Sequence, residues 1–317
     1  MTVSIIIPCF NHGRFLAAAI ESAQRQAGPQ VEVIVVDDGS TDDSAAVAAQ
    51  YPRVTLIRQP NGGLSRARNA GLAAARGDCC IFLDADDRLL PGAARAAVET
   101  FDVHPDAAMV VGRCRLVDER GRPLATALPD VQSDFYRELL RTNYIWMTAM
   151  VAFRRSVFAR VGDFDPRVNA SADYDMYLRV ARRLPLARHG ELVAEYRQHD
   201  ANMSRDPVLM LESTLAVMRV QAPFARGDTA LGSAYREGIR RWRQWYGERL
   251  VERFRDAWRT GAHRDAARAA GHLLRLYPRG VWRHIRRKMI VMRGARSGQP
   301  KLRPPSLARP PLPGGDD

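Results

Sequence analysis

Apolar residues in the first third of the chain follow two alternating spacings. Continuous apolar and β-branched runs predict strands that are buried on both faces, and such runs occur at residues 3–8, 31–36, 54–57 and 79–83. Between these runs, apolar residues recur every three or four positions, which predicts helices after residue 13 and over residues 44–50 and 64–75. Strands that alternate with helices of this length predict βαβ units. We therefore expect an α/β fold with a mostly parallel sheet flanked by helices.

The pattern loosens in the middle of the chain and becomes wholly helical near its end. Helices are predicted over residues 93–101, 133–143 and 172–183, and strands over residues 108–111, 149–153 and 192–196. Beyond residue 206 the apolar residues fall on two helical stripes, one formed by Ile239, Trp242, Tyr246, Leu250, Phe254 and Trp258 and the other by Trp282, Ile285, Met289 and Met292. The sequence thus predicts a domain over 1–206, an α-helical extension over 207–293, and a disordered tail rich in Pro and Arg over 294–317.

The positive charge of the chain is confined to its last part. The net charge is +13, yet the first 231 residues carry 27 Arg and Lys against 28 Asp and Glu. The remaining 86 residues carry 21 Arg and Lys against 7 Asp and Glu. A neutral domain followed by a basic helical extension predicts that the extension meets an anionic surface.

Composition and cysteine spacing narrow the class of protein. Hydrophobic residues make up 46% of the chain and charged residues 26%, which excludes a wholly disordered protein. The four cysteines have no Cys-x-x-Cys spacing, so they predict buried thiols in a reducing compartment rather than a zinc site or a disulfide framework. No apolar run reaches the ~18 residues of a spanning helix, and the first residues lack the basic start of a signal peptide. We therefore expect a cytoplasmic protein.

Acidic residues collect at the ends of the predicted parallel strands. Asp37 and Asp38 follow the second strand, and Asp84, Asp86 and Asp87 follow the fourth. Because parallel α/β sheets bind ligands beyond the carboxyl ends of their strands, these five carboxylates predict a binding site at that edge. Carboxylates that lie close together repel and raise one another's pKa values, and a divalent cation or the hydroxyls of a sugar would relieve that repulsion.

Five segments of the chain together resemble a known enzyme family. They are IIIPCFN, VIVVDDGSTDDS, NGGLSRARNAGL, GDCCIFLDADD and SADYDMYLR, and they stand in the order and spacing of the family 2 glycosyltransferases. The resemblance covers residues 2–205. It implies the Rossmann-like GT-A fold and an inverting, metal-dependent transfer of a sugar from a nucleotide-diphosphate sugar to an acceptor hydroxyl.

The resemblance also implies roles for the acidic residues. In the family, the first acidic pair holds the uracil and ribose of the donor, which implies this role for Asp37 and Asp38. The Asp-x-Asp motif holds the ribose and the metal that bridges the diphosphate, which implies that Asp84 and Asp86 bind Mn²⁺ or Mg²⁺. The segment EYRQHDANMS resembles the closing stretch of the family and implies that His199 is a further metal ligand.

The first and third segments imply further residues beside the nucleotide. Pro8 and Asn11 belong to IIIPCFN, and Arg68 and Asn69 belong to NGGLSRARNAGL. For Arg68, an ordinary exposed arginine on a helix is the alternative interpretation, because most arginines lie at the surface.

The catalytic base of the family is the Asp of a Glu-Asp pair at the start of a helix, and Asp173 stands at that position. Ala172 replaces the usual Glu, which removes a neighbour that helps to orient the acceptor. Asp175 faces another side of the predicted helix, and we expect it to be structural. Asp173 would take the proton of the acceptor hydroxyl as that hydroxyl attacks, so the anomeric centre would be inverted.

The resemblance further implies a product and an acceptor. The product would be a bacterial cell-surface polysaccharide or glycolipid, and the acceptor a saccharide or a lipid-linked saccharide. The basic extension then predicts attachment to anionic lipid on the inner face of the plasma membrane, whereas packing among helices is the alternative for its apolar stripes. We expect no nucleic-acid partner.

Two other functions stay open at this point. A nucleotidyltransferase also uses an α/β sheet with metal-binding carboxylates, but the segment after the first strand contains one glycine rather than a glycine-rich phosphate loop. A non-catalytic carbohydrate- or nucleic-acid-binding protein on the same fold is the other alternative.

Overall fold

The structure, a computed structural model, describes residues 1–27, 30–124, 131, 134–168, 170–200, 202–284 and 286. The chain divides into two units, Met1–Asn202 and Met203–Asp317. The strands of the described residues all belong to the first unit, and the second unit is helical where it is described. The tail predicted over residues 294–317 lies outside the described residues.

A single mixed sheet runs through the first unit. The described residues form eight strands: β1 (Val3–Cys9), β2 (Val31–Asp37), β3 (Val54–Arg58), β4 (Cys79–Phe82), β5 (Arg88–Leu89), β6 (Met109–Asp118), β7 (Val151–Arg154) and β8 (Leu186–Gln198). Their order in the sheet is β3-β2-β1-β4-β7-β6-β8-β5. The first four strands pair in parallel, as predicted, and so do β6 and β8. The strand β7 runs antiparallel to β4 and β6, and β5 runs antiparallel to β8.

Helices connect these strands, and one of them packs unusually close to the sheet. The described helices of this unit are α1 (Gly13–Gln24), α2 (Ser44–Ala49), α3 (Leu64–Ala74), α4 (Ala93–Val103), α5 (Phe135–Arg141), α6 (Val157–Val161) and α7 (Ala172–Ala181). A Cβ added at Gly71 of α3 would lie 2.3 Å from Cγ2 of Ile6 in β1. Glycine at this position therefore lets α3 lie directly against β1, which fixes the helix that carries Arg68 and Asn69.

The strand predicted over residues 149–153 begins later than expected. Residues Thr148–Met150 form a 3₁₀ turn, and β7 follows. Both segments are buried, and a continuous apolar run cannot distinguish a short strand from a buried turn. The strand β5 escaped prediction because two residues, one of them the charged Arg88, carry no recognisable period.

The strand β8 is longer than the segment predicted over residues 192–196, because it begins at Leu186. Its first half contains the polar residues 188–191, which are partly or fully exposed. One side of β8 pairs with β6, but β5 pairs only with Glu195 and Ala194 on the other side. In the described part of the chain, the first half of β8 therefore has a neighbouring strand on one side only. Such an edge tolerates polar residues, and a search for apolar runs does not detect it.

Three long helices are described in the second unit: α8 (Pro207–Ala225), α9 (Thr229–Arg259) and α10 (His263–Leu276). Two of them begin at an aspartate that caps the helix. The carboxylate of Asp206 accepts hydrogen bonds from the backbone N–H groups of Val208 and Leu209, and that of Asp228 accepts one from Leu231. Such caps satisfy N–H groups that have no partner within the helix.

The apolar stripe predicted over residues 239–258 is only partly buried. Tyr246 and Leu250 lie in two apolar clusters formed with residues of α8 and α10. Three further members pack against these clusters: Ile239, Trp242 and Phe254. Trp258 is 61% exposed and Trp282, from the second predicted stripe, is 70% exposed, while Ile285, Met289 and Met292 lie outside the described residues. Core packing therefore accounts for most of the first stripe and leaves both of these tryptophans at the surface.

The cysteines are buried thiols, as the sequence predicted. All four are buried and free: Cys9, Cys79, Cys80 and Cys114. Burial raises the pKa of Cys79, Cys80 and Cys114 to about 12, so these thiols stay neutral. Within the described ranges, no helix has both the length and the apolar character that crossing a bilayer requires.

Candidate active site

The carboxyl ends of β2 and β4 flank the end of β1, because β1 pairs in parallel with both strands. Asp37 ends β2 and Asp38 follows it, while Asp84, Asp86 and Asp87 follow β4. The five carboxylates therefore lie at one edge of the sheet. Each carboxylate has hydrogen-bond or ion-pair partners within the chain, and these partners differ from one carboxylate to the next.

Asp38 fixes the turn that leads into α3. Its buried carboxylate accepts hydrogen bonds from the Gln59 side chain at 2.7 Å and from the backbone N–H groups of Gly62 and Gly63 at 2.9 and 2.8 Å. Three donors to one carboxylate satisfy most of its accepting capacity. If Asp38 contacts a nucleotide, as predicted, it does so with a carboxylate that already holds residues 59–63 in place.

Asp37 and Asn11 fix the neighbouring loop. The Asp37 carboxylate accepts from the backbone N–H of Ser40 at 3.0 Å and from the Arg58 side chain at 3.3 Å. The Asn11 amide oxygen accepts from the backbone N–H of Thr41 at 2.8 Å, and Asn11 itself has the left-handed φ of 55° that asparagine tolerates better than most residues. Both side chains therefore shape the backbone that borders the site.

Pro8 lies within β1, where it is buried and in register with Val36 of β2. The residue contributes to the site through the course of the backbone, since its ring is covered by the sheet and its helices.

Arg68 is buried rather than exposed. It is 2% exposed, and its guanidinium pairs with the Asp84 carboxylate at 2.8 Å while lying 5.3 Å from the centre of the Phe164 ring. Burial opposes the charge of Arg68, but attraction to Asp84 and Asp173 outweighs it and raises the pKa of the guanidinium. The exposed-arginine interpretation is therefore wrong, and Arg68 is the central cation of this edge.

Asn69 has both ends of its amide engaged by one residue. Its amide nitrogen donates to the Phe164 carbonyl at 2.8 Å, and its amide oxygen accepts from the Phe164 backbone N–H at 3.0 Å. This reciprocal pair anchors the segment that precedes α7. A nucleotide contact by Asn69, predicted from the resemblance, would have to compete with these two bonds.

Asp173 lies in the first turn of α7, and it is only partly buried. Burial raises the pKa of Asp173, although the charge of Arg68 acts in the opposite direction. Asp175 is buried and pairs with Arg179 at 2.8 Å, so its contacts are those of a structural residue. The two carboxylates of α7 thus differ. Asp173 interacts electrostatically with Arg68, whereas Asp175 pairs with Arg179 of its own helix.

Asp86 meets two histidines. Its carboxylate lies 2.9 Å from Nε2 of His199, and a ligand atom from each of His12, Asp86 and His199 lies within 4.8 Å of the other two. Although burial opposes the charge of Asp86, the hydrogen bond from His199 and the charge of His12 lower its pKa. Two imidazoles and a carboxylate are a donor set suited to a divalent transition-metal ion.

This group differs from the metal ligands that the sequence predicted. Asp86 and His199 belong to it, whereas Asp84 pairs with Arg68 and its role as a metal ligand stays a prediction. His12 was missed because the sequence analysis considered only carboxylates at the strand ends, together with His199 from the resemblance. The signal was present, since His12 follows the end of β1 at the same edge as the predicted carboxylates.

Asp87 is buried behind this group. It accepts a hydrogen bond from the backbone N–H of Arg197 at 2.8 Å, and the Arg197 guanidinium donates to the Asp86 carbonyl at 2.8 Å. Burial, together with the charges of Asp86 and Asp84, raises the pKa of Asp87 well above its usual range. Asp87 therefore joins the Asp-x-Asp segment to β8.

The profile of Glycosyl transferase family 2 matches residues 4–162, half of the chain. The chain belongs to this family. The matched segment runs from β1 beyond β7, so it includes Arg68 and the carboxylates of β2 and β4, whereas Asp173 and His199 lie outside it.

Two curated relatives extend this comparison. The family 2 chain is 33% identical over 214 residues to an uncharacterized glycosyltransferase of Nostoc sp., a match that covers 64% of this chain and 66% of that protein. It is 29% identical over 211 residues to the chondroitin synthase of Escherichia coli, which covers 64% of this chain and 30% of that protein. The chain therefore spans less than two thirds of the length of these relatives.

A solved structure supports the same fold. The mannosyltransferase PcManGT from Pyrobaculum calidifontis, solved with GDP-Man and Mn²⁺, superposes with a TM-score of 0.59 at 18% identity over 88% of this chain and 82% of that chain. The predicted GT-A fold with a helical C-terminal part is thus confirmed for this family 2 chain.

Proposed function

We propose that this family 2 chain transfers a sugar from a nucleotide-diphosphate sugar to a hydroxyl of an acceptor, with inversion of the anomeric centre. The observation that carries the proposal is the position of Arg68, a buried cation that pairs with Asp84 and attracts Asp173. A carboxylate of the Asp-x-Asp segment and the candidate base thus share one counter-charge. This arrangement supports a base that lies beside the donor.

Asp173 acts as the general base in this proposal. Its raised pKa gives it a greater affinity for a proton than an ordinary carboxylate has, which favours proton transfer near neutral pH. As the acceptor oxygen bonds to the anomeric carbon, its proton moves to Asp173. The bond between that carbon and the diphosphate oxygen breaks on the opposite face, and the nucleotide diphosphate leaves with the electron pair.

The donor and its metal are proposed to occupy the edge formed by the ends of β1, β2 and β4. Asp37, Asp38, Asn11 and Pro8 shape the loops around the nucleoside, while Asp84 and Arg68 face the diphosphate. Asp86 and His199 would hold Mn²⁺ or Mg²⁺. When bound, such an ion stabilises the negative charge of the leaving diphosphate.

The acceptor is proposed to bind in a cavity of about 230 Å³ between β6, β8 and the segment that contains Tyr144. The cavity includes Val111, which pairs with β7, and β7 in turn pairs with β4. Because neighbouring strands lie about 4.8 Å apart, the backbone at Val111 lies about 10 Å across the sheet from β4, the strand that precedes Asp84 and Asp86. Similarity to a chondroitin synthase supports a polysaccharide or glycolipid product, and therefore a saccharide or lipid-linked acceptor.

The test incubates the purified 317-residue chain with a panel of nucleotide sugars, Mn²⁺ and saccharide acceptors. Turnover is measured as the release of nucleotide diphosphate. Asp173→Asn keeps the shape of the side chain but cannot accept a proton, so it should retain donor binding and lose about a hundred- to ten-thousandfold in rate. Asp175→Asn is the matched control on the same helix and should keep measurable turnover. Loss of turnover in Asp175→Asn but not in Asp173→Asn would show that Asp173 is not the catalytic base. Donor binding with no turnover by the unmodified protein would favour the non-catalytic alternative.

We also propose that the second unit attaches to anionic lipid at the cytoplasmic face of the membrane. The excess of Arg and Lys beyond residue 232 and the exposed side chains of Trp258, Leu274 and Trp282 support this. Each basic residue near an anionic leaflet contributes about 1 kcal/mol, so four or five of them suffice for reversible attachment.

Co-sedimentation with vesicles tests the attachment. The full chain should bind vesicles that contain phosphatidylglycerol, release them as salt rises, and ignore pure phosphatidylcholine. Replacing Trp258 and Trp282 by Ser should weaken binding, whereas Val103→Ser, which changes an exposed apolar residue of the first unit, should not. Equal binding by all variants would refute a role for these tryptophans.

A further inference from the structure

We propose that His12 is a direct ligand of the divalent ion, so that His12, Asp86 and His199 form a site with two imidazoles and one carboxylate that prefers Mn²⁺ to Mg²⁺. The inference rests on the proposed metal dependence of the transferase, and it replaces Asp84 by His12 among the protein ligands.

The spacing of the ligand atoms is the first argument. Metal–ligand bonds of about 2.1 Å place two neighbouring ligand atoms about 3 Å apart and two opposite ones about 4.2 Å apart. Nε2 of His199 and the Asp86 carboxylate oxygen are 2.9 Å apart, and the atom from His12 lies within 4.8 Å of both. A side-chain adjustment of some tenths of an ångström therefore lets all three reach one ion.

The backbone around His12 provides the second argument, because it is held on both sides. The His12 backbone N–H donates to the Ser44 hydroxyl at 3.2 Å, and the Gly13 N–H donates to the Asp42 carboxylate at 3.0 Å. A Cβ at Gly13 would lie 2.0 Å from a carboxylate oxygen of Asp43, so glycine is needed for this close approach. The His12 ring is thereby kept near the ring of His199, with 5.9 Å between their centres.

The ligand His199 is equally constrained. Its side chain is completely buried, its backbone N–H donates to the Asn202 side chain at 2.5 Å, and its ring lies 4.9 Å from that of Phe15. A metal site built on such fixed side chains loses little conformational freedom on binding. His12, by contrast, is only partly buried, so it lies where an ion enters from solvent.

The engagement of Asp84 explains why a second imidazole is needed. Its carboxylate pairs with the buried Arg68, so a bond from Asp84 to a metal ion would compete with this ion pair. Asp86 then supplies the single carboxylate of the group. Mg²⁺ is usually held through oxygen atoms, whereas imidazole nitrogen favours transition-metal ions. Three protein ligands also leave coordination positions for diphosphate oxygens.

The experiment measures binding of Mn²⁺ alone to the full chain. The readout is the loss of the electron paramagnetic resonance signal of the free ion. In known metal sites, removing a residue that only hydrogen-bonds to a metal ligand lowers the metal affinity about ten- to a hundredfold. His12→Ala, which removes a ligand, should therefore weaken Mn²⁺ binding by at least about tenfold. His104→Ala, at an exposed histidine at the end of α4, should leave it unchanged.

Pulsed electron paramagnetic resonance identifies the ligands directly. The unmodified protein should show couplings from two imidazole nitrogens to Mn²⁺, and His12→Ala and His199→Ala should each lose one of them. Competition with Mg²⁺ adds a second measurement, because the ratio of Mn²⁺ affinity to Mg²⁺ affinity should be smaller in His12→Ala than in the unmodified protein. Thermal unfolding in excess chelator checks that each variant is folded, and His12→Asn provides a polar replacement of smaller volume if the alanine variant is not.

Three outcomes would overturn the inference: no Mn²⁺ binding by the unmodified protein, unchanged Mn²⁺ affinity in folded His12→Ala or His12→Asn, or two nitrogen couplings that persist in either variant. These outcomes are separate from the proposed function. Turnover without His12-dependent Mn²⁺ binding would support the proposed transfer reaction and refute the role of His12 as a metal ligand. His12-dependent Mn²⁺ binding without turnover would support the ligand role and contradict the proposed transfer reaction.

Discussion

Replacing Arg68 by Met tests whether one buried cation neutralises the acidic edge of the sheet. The change keeps an unbranched side chain with similar helix propensity but removes the guanidinium that pairs with Asp84 and attracts Asp173. Both carboxylates would then lie in the site without this counter-charge. We expect lower stability and loss of transfer.

The size of the effect follows from burial. Breaking a buried ion pair by removing one partner costs about 3–5 kcal/mol. The Arg68 side chain is 3% exposed, but that of Asp84 is 31% exposed, so water screens part of the interaction and the lower value, about 3 kcal/mol, applies. For a unit of this size, that free energy lowers the Tm by about 6–12 °C.

The effect should depend on pH, and its sign can be worked out. Burial raises the pKa of Asp173, and Arg68 counteracts that rise. Without Arg68 the pKa of Asp173 rises further above its unfolded value of about 3.9. A carboxyl group whose pKa is higher in the folded state than in the unfolded state does not destabilise the protein below the unfolded pKa. Its cost grows as the pH rises from the unfolded pKa through the folded pKa and is complete above it. The deficit of Arg68→Met should therefore be largest near neutral pH and shrink on acidification.

Differential scanning calorimetry of the full chain at about pH 7.5 and about pH 5 measures this deficit relative to the unmodified protein at the same pH. Arg66→Met is the matched control, because Arg66 is an exposed residue of the same helix. We expect it to change the Tm little. An Arg68→Met protein as stable as the control, or a deficit that is equal at both pH values, would refute the reasoning.

Three smaller perturbations test other contacts. Gly71→Ala should lower the free energy of unfolding by about 1–3 kcal/mol, because its Cβ would lie 2.3 Å from a methyl group of Ile6; denaturant titration measures this. Asn69→Ala removes two hydrogen bonds to the Phe164 backbone and should cost about 1–3 kcal/mol in the same titration. Tyr144→Phe should leave the Tm unchanged or higher, since the Tyr144 hydroxyl is buried without a partner among the described residues; a clear drop in Tm would contradict this.

Most of the parallel half of the sheet could be predicted because β1 and β4 are buried along their whole length and β2 along most of it, although β3 is partly exposed. In β1 all seven residues are buried, so the apolar run coincides with the strand. The later strands could not be delimited in this way. The strand β5 has two residues and depends on pairing with β8, and the turn before β7 is as apolar as the strand itself.

The candidate site was predictable as a set of residue types, but its pairings were not. Strand ends placed the carboxylates at one edge, yet the sequence cannot show that Asp84 pairs with Arg68 or that Asn69 holds Phe164. These contacts join residues 16 and 95 positions apart and arise from the packing of α3. His12 could have been found by the rule that selected the carboxylates, had that rule been applied to every metal-binding residue type at the strand ends.

Among the described residues, the first half of β8 has a neighbouring strand on one side only, and such an edge can pair with another molecule. Backbone N–H and C=O groups at such an edge can accept a strand from a second molecule, and growth of this kind leads to aggregation. Residues 188–191 are Arg, His, Gly and Glu, and charged side chains there oppose the approach of another strand. The same polar residues that concealed the first half of β8 from the hydrophobic pattern thus oppose pairing of this edge with a second molecule.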